Sequence, residues 1–373
     1  MKRVLFLVQG EGRGHLTQAI SMFQLLKESD YEVVAVLVGG AEGKTPPSFF
    51  VQEIKAPVES FVSPHLIFDQ KGNVSFWRTI WYHLPHIFRF LRSLGHLHRL
   101  IKHYQPDLIV NFYEILGGFY QLLYRPSIPS VCVGHQYLFF HAAFEFPPNR
   151  RWERWLVNFN SRLTALRAKR LLALSFDPLP DIPSRRLYVV PPLLRQDLLH
   201  HIPQSGDYLL VYLNHPSFFL QVYDWHLQQP EVRLHCFWNQ PSEVSALYND
   251  ATLTLHSLDG KKFLEMMAGA KALVTTAGFE SISEALYLDK PVLVVPMHYE
   301  QACNATDIER VGAGIAATRF DLSVLFRYLP VHQPVGERFR EWYEKGSKKW
   351  PQHFDEVLGL GPRKLRVGEA ADS

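Results

Sequence analysis

The sequence predicts an α/β protein built from two Rossmann-like, doubly wound domains that face each other across a cleft. Two observations carry this expectation. Strand-like and helix-like segments alternate from residue 3 onward, stop, and restart near residue 208, with a proline-bearing stretch at 191–206 between the two series. The chain of 373 residues is also too long for one ordinary domain and suits two of roughly 150–200 residues. The expected division is 1–195, 196–360 and a structureless tail at 361–373.

Residues 3–9 form a compact apolar run, followed by glycines and a helical pattern to about residue 27. Residues 32–38, rich in Val and Leu, predict a second strand and 50–56 a third, while 107–111 and 130–133 predict further buried strands. In the second series 208–213, 232–237, 252–256, 272–276 and 291–296 predict strands separated by helices. Short apolar runs alternating with helices predict a parallel sheet covered on both faces. Ligands are then expected in the cleft, at the carboxyl ends of the strands.

A chain that is 47% hydrophobic and 13% aromatic can bury a sizeable core, which excludes wholesale disorder. Its three cysteines, Cys132, Cys236 and Cys303, are odd in number and far apart. They fit neither a disulfide framework nor a zinc site, and they predict a reducing, cytoplasmic setting. No uninterrupted apolar run is long enough for a membrane-spanning helix, and the apolar run at 4–8 is too short for a signal-peptide core.

The first candidate site is GEGRGHLTQA at 10–19, set between the first strand and the first helix. Gly10, Gly12 and Gly14 allow a ligand close to the backbone, and the helix start offers unpaired N–H groups. The spacing is G-x-G-x-G-H, and the second strand ends in Val38-Gly39-Gly40 without the acidic residue that holds an adenosine ribose. That argues against a dinucleotide-dependent dehydrogenase. His15, at the helix start, is the candidate general base. Glu114 follows the strand expected beside the first, and a carboxylate there is placed to orient His15.

The most specific signal is TTAGFESISEALYLDKPVLVVPMHYEQACNATDIERVGAG at 275–314. Here a strand ends at Thr276-Ala277-Gly278 and a helix follows at once, which brings backbone N–H groups to a diphosphate. Glu284 lies in that helix, where a carboxylate can accept both hydroxyls of a ribose. Glu300-Gln301 opens the next helix and faces the sugar position.

This segment resembles the donor-binding signature of GT-B glycosyltransferases, in particular the inverting group that includes MurG and the UDP-glycosyltransferases. The run G-F-E-S-x-x-E-A-L-x-x-x-K-P-V-L-V-V-P followed by E-Q-x-x-N-A carries the resemblance. The glycine-rich loop with His15 and Thr17 is similar to the acceptor-side loop of the same families, and Gly134-His135-Gln136 to another loop of that domain. The resemblance implies that Thr276, Ala277, Gly278, Phe279, Ser281 and Asn304 form the donor pocket around the diphosphate. It places Glu284 on the ribose, Glu300 and Gln301 on the sugar, and Gly12, Gly14, Thr17, His135 and Gln136 on the acceptor side. Asn214-His215-Pro216 departs from the Gly-Gly-Ser-rich turn of MurG, so contacts made by that turn do not carry over. The implied activity is a single displacement on a nucleotide-diphosphate sugar, with that nucleotide as substrate and no cofactor. Asp-x-Asp, a pair that holds a metal–diphosphate elsewhere, does not occur, which fits a metal-free mechanism.

The segment 70–106 contains no Asp or Glu, yet carries Lys71, Arg78, Arg89, Arg92, Arg99 and Lys102 with interleaved aromatics including Trp77, Trp81, Tyr82 and Phe88. Pro85 divides it into two helical pieces, the second with Ile87, Phe90, Leu91, Leu94 and Ile101 on a core-facing stripe. A second basic stretch runs from Arg150 to Arg170. A peripheral contact with an anionic membrane carrying a lipid or glycan acceptor is one reading of this distribution. A solvated helix face with its aromatics in the core is the other. Nucleic acid is disfavoured because no known binding module accompanies the charge. Besides a transferase, a nucleotide-sugar epimerase and a non-catalytic sugar-nucleotide binder share the expected features.

Overall fold

The computed structural model describes residues 1–65, 81–213, 215–240 and 242–361. The first sheet has seven parallel strands: β1 (Lys2–Gln9), β2 (Tyr31–Gly40), β3 (Val58–Val62), β4 (Leu108–Phe112), β5 (Ser130–Gly134), β6 (Arg170–Leu174) and β7 (Leu187–Val190). Their order is β3-β2-β1-β4-β5-β6-β7. With it pack α1 (Gly14–Leu26), α2 (Ser48–Glu53), α3 (Ile87–Tyr104), α4 (Ile115–Leu123) and α5 (Arg151–Thr164). Val4 to Val8 are buried without alternation, as a strand covered on both faces must be.

The second sheet has six parallel strands: β8 (Tyr208–Leu213), β9 (Arg233–Trp238), β10 (Leu253–His256), β11 (Ala272–Thr275), β12 (Val292–Val294) and β13 (Gly314–Ala316). Their order is β10-β9-β8-β11-β12-β13. The helices are α6 (Phe219–Gln228), α7 (Ser242–Ala246), α8 (Gly260–Gly269), α9 (Phe279–Tyr287), α10 (Tyr299–Val311), α11 (Ser323–Tyr328), α12 (Gly336–Ser347) and α13 (Trp350–Val357). In each sheet the strand order reverses at one point, between β1 and β4 and between β8 and β11. Loops leaving the two strands there diverge and open a crevice at their carboxyl ends.

Three differences from the sequence expectation have physical causes. The strand expected at 50–56 is instead helix α2, entered through Pro47, and the third strand follows at Val58. Pro fixes a dihedral compatible with a helix start, and only Phe50 of that helix is buried. On α3 burial begins at Ser93, so Leu94 and Ile101 face the core as expected while Ile87 and Leu91 stand exposed. The final helix α13 follows the second sheet in sequence but packs on the first. Tyr31 donates to Asp355 at 2.6 Å, and Trp350 and Phe354 are fully buried in the cluster that contains Val4 and Phe6. The expected tail beyond residue 361 lies outside the described residues.

Candidate active site

Both crevices open onto one space, because α1 of the first domain packs against α9 of the second. Phe279 stacks on His135 at 4.6 Å and on Phe176 at 4.6 Å, which joins the walls across the cleft. On the first wall Gly10 donates its N–H to the Gly39 carbonyl at 2.7 Å, and any Cβ at Gly10 would strike that carbonyl. Gly12 adopts φ 72°, a conformation that costs glycine nothing. Thr17, half-buried, closes the first turn of α1 through its N–H to Arg13.

His15 is buried, and its ring stacks on Tyr113 at 5.4 Å. Its Nδ1 lies 3.3 Å from Gln18 Oε1 and its Nε2 3.3 Å from Gln136 Nε2. Burial lowers the imidazole to about 4, with His135 adding to the effect and the Glu300 carboxylate opposing it. His15 is therefore neutral near pH 7 and can accept a proton.

Glu114 flanks the same switch point, since β4 pairs with β1. Its carboxylate does not orient His15. It accepts from Ser63 Oγ and from the Leu116 N–H at 3.0 Å, capping α4. Gly39 is bare because a Cβ there would collide with that carboxylate. Burial pushes Glu114 up to about 7 against these hydrogen bonds. His15 is held instead by Gln18, and Gln18 Nε2 donates to Glu280 Oε1 of α9 at 2.6 Å.

On the second wall β11 runs through Thr275 to Thr276, Ala277 and Gly278, which precede α9. Ala277 is left-handed at φ 64°, a strained position for a residue with a Cβ. Asn304 Nδ2 pins it by donating to the Ala277 carbonyl at 2.9 Å. Gly278 supplies no side-chain cap, and the Glu280 carboxylate takes its own backbone N–H, which leaves the other first-turn N–H groups of α9 without a capping side chain. Ser281 Oγ donates to the Gly278 carbonyl at 3.1 Å. Glu284 is buried and pairs with Arg195 at 2.6 Å. Gln301 Oε1 accepts from the Met297 N–H at 2.9 Å. Glu300 reaches across to the first wall, with Gln136 Nε2 at 3.2 Å and His135 Nε2 at 3.2 Å. Burial opposes its ionisation, yet His135, His298 and His15 together hold it down at about 2. Among the described residues Gln136 Oε1 and His135 Nδ1 are buried with no hydrogen-bond partner.

The residues expected on the donor and acceptor sides thus converge, while Asn214 of the divergent turn lies outside the described residues and His215 is exposed. Sequence reasoning missed Gln18, Glu280, Tyr113 and Arg195. Gln18 was accessible from its spacing, since a residue three positions after His15 shares its helix face. Glu280 lay inside the donor motif but has no meaning until the opposite wall is present.

Two facing Rossmann-like domains with this cleft define the GT-B class of glycosyltransferases. The family model "Glycosyl transferase family 1" matches residues 2–330, and the chain belongs to that family. It is 40% identical over 60 residues to the uncharacterized UDP-glucosyltransferase YojK of Bacillus subtilis (strain 168), a match spanning 16% of this chain and 15% of that protein. Among solved structures, Phytolacca americana UGT2 complexed with UDP-2fluoro-glucose and pterostilbene superposes with TM-score 0.63 at 14% identity, covering 96% of this chain and 100% of that one. Acinetobacter baumannii MurG superposes with TM-score 0.58 at 18% identity, covering 96% and 99%.

Proposed function

We propose that the chain is an inverting transferase that moves a sugar from UDP onto an acceptor hydroxyl without a metal ion. The observation that carries this reading is the placement of a neutral His15 on one wall, opposite the uncapped start of α9 on the other. His15 Nε2 takes the proton of the acceptor hydroxyl. The acceptor oxygen then attacks the anomeric carbon as its bond to the diphosphate breaks, and UDP leaves with the electron pair. The amides at the start of α9 and the loop at Thr276, Ala277 and Gly278 accept the charge that develops on the leaving group. Glu284 receives the ribose hydroxyls, while Glu300 and Gln301 hold the sugar. The UDP-glucosyltransferase relative and the neighbour bound to a UDP-sugar support UDP as the nucleotide. Among the described residues no group of His, Cys, Asp and Glu is arranged to hold a metal ion. The test is UDP release from a panel of UDP-sugars, with the product anomer read by proton NMR. The expected result is an inverted product and turnover that persists in EDTA; loss in EDTA restored by magnesium would overturn the metal-free step.

The acceptor is proposed to be lipid-borne or a glycan at the cytoplasmic face of an anionic membrane. Trp81, Ile87, Phe88 and Leu91 stand exposed at the start of α3 and just before it. On α5 the exposed rings of Trp152, Trp155 and Phe159 stack at 5.0 and 5.2 Å. Beside them Arg154, Arg162, Arg167, Arg185 and Arg186 line a cavity of about 600 Å³. Helices of a parallel α/β layer start at the carboxyl ends of the strands, so Ile87 and Phe88 at the start of α3 and Trp152 and Trp155 at the start of α5 lie toward the cleft end of the layer. Among the described residues no helix is long and apolar enough to cross a membrane. The residues 70–80 of the first basic segment, Trp77 included, lie outside the described residues.

A further inference from the structure

We infer that Glu280 is a positioning residue: through Gln18 it fixes which ring nitrogen of His15 carries the proton. Gln18 Nε2 donates to Glu280 Oε1 at 2.6 Å, and Gln18 and His15 are both buried. An ionised carboxylate only accepts, so this contact turns the NH₂ of Gln18 toward Glu280 and its oxygen toward His15. That oxygen also only accepts. The His15 atom facing it, Nδ1 at 3.3 Å, must therefore be the N–H. Nε2 keeps its lone pair, and Gln136 Nε2 approaches it from the other side at 3.3 Å as a donor. Both neighbours thus specify the same tautomer, the one with its lone pair on Nε2, which the Gln136 N–H yields to an acceptor hydroxyl.

The residue before His15 carries a second mark of this arrangement. A Cβ on Gly14 would lie 2.8 Å from the Glu280 carboxylate oxygen and would push that carboxylate off its place. Gly14 leaves open the space that the carboxylate of the other domain occupies. Since Glu280 sits in the first turn of α9 and His15 in the first turn of α1, the tautomer is set only while the two walls are apposed as they are here. The charged groups facing the relay are His135, beyond β5, and Glu300 of α10. Burial pushes the Glu280 carboxyl up and the Glu300 charge adds to this, while His135, the Glu280 backbone N–H and Gln18 oppose it. As pH falls through that raised value the carboxyl gains an O–H donor, the Gln18 amide is free to turn, and the tautomer preference is lost.

The catalytic consequence rests on the base role proposed for His15; the tautomer does not. The experiment uses the full chain with ¹⁵N-labelled histidine, in which two-bond ¹H–¹⁵N correlations separate protonated from unprotonated ring nitrogens. His15 is identified by the signals absent from His15→Ala. The wild type is expected to show Nδ1–H at neutral pH, and Glu280→Gln a mixture or the Nε2–H form. Gln18→Met, which breaks the relay without touching Glu280, is expected to do the same. Both variants should lower kcat by about tenfold to a hundredfold, the worth of one charge-assisted hydrogen bond, with KM for the UDP-sugar unchanged. Wild-type His15 in the Nε2–H form, or Nδ1–H retained in both variants, overturns the inference. A tautomer that switches in both variants of a protein with no detectable transfer upholds the relay and removes the transferase reading instead.

Discussion

Arg195 Nε stands 2.6 Å from Glu284 Oε1, and the same guanidinium donates from Nη1 to the Gly260 carbonyl at 3.1 Å. One side chain from the segment between the sheets therefore ties the donor helix α9 to the start of α8. Glu284 is almost wholly buried, and Arg195 is 23% exposed along its side chain. A ribose that binds Glu284 must share the carboxylate with this arginine.

Replacing Glu284 thus has two effects that the choice of substitution separates. Glu284→Gln keeps the shape and removes the charge, and UDP affinity should fall by roughly ten- to a hundredfold. Glu284→Ala should in addition destabilise the fold by about 1–3 kcal/mol, because the partly buried Arg195 Nε loses the acceptor oxygen that glutamine keeps. Calorimetry with UDP reads the first effect and chemical unfolding the second. Unchanged affinity in a folded Glu284→Gln protein would take Glu284 off the ribose.

The pH dependence of transfer follows from His15. Burial lowers its pKa from 6.5 to about 4, so the basic form persists well below neutrality. The acid limb of kcat/KM should fall near pH 4–5, where an unperturbed imidazole would place it near 6.5. The same shift adds stability that is present above pH 6.5 and lost as pH falls toward 4. An acid limb centred near 6.5 would show that His15 is not the group that titrates.

Glu114 has the opposite sign. Burial holds its folded value at about 7, above the ordinary 4.5, so its contribution is intact below pH 4.5 and is lost as pH rises through 7. The cost above pH 7 is on the order of 3 kcal/mol. Glu114→Gln should therefore be more stable than wild type at pH 8 and close to it at pH 4.5. Thermal unfolding at the two pH values checks this, and equal effects at both would contradict it.

The exposed aromatics of α5 give a prediction about membranes. The chain should co-sediment with vesicles containing anionic phosphatidylglycerol and much less with neutral phosphatidylcholine vesicles. Trp152→Ala with Trp155→Ala should release it, since both rings are exposed. Equal binding to both vesicle types, or binding unchanged in the double variant, would remove α5 from the membrane contact.

Much of this fold was legible because buried parallel strands announce themselves as short apolar runs, and the nine that lie near β1, β2, β4, β5, β8, β9, β10, β11 and β12 did so. What escaped were elements whose character is set by neighbours. The aromatic run at Phe49-Phe50-Val51 has strand propensity but coils behind Pro47, and β13 is a three-residue strand defined by its pairing with β12. Arg170–Leu174 and Leu187–Val190 sit among basic residues and prolines that mask them as loops. The site divides in the same way. The donor motif and His15 are local patterns, whereas the partner of His15 is a product of two walls meeting. Glu114 was the obvious carboxylate in sequence because β4 lies beside β1, yet Ser63 and the Leu116 amide claim it.

The acceptor-side role proposed for His15, with donor binding on the opposite wall, is read from UDP affinity and kcat measured on one preparation of His15→Ala. UDP affinity is expected to stay close to wild type while kcat falls by about 10²–10⁴, the usual worth of a general base. A folded His15→Ala enzyme with near-normal kcat would contradict it and pass the proton to another group, with His135 and Glu300 the charged or titratable side chains that act on His15 electrostatically.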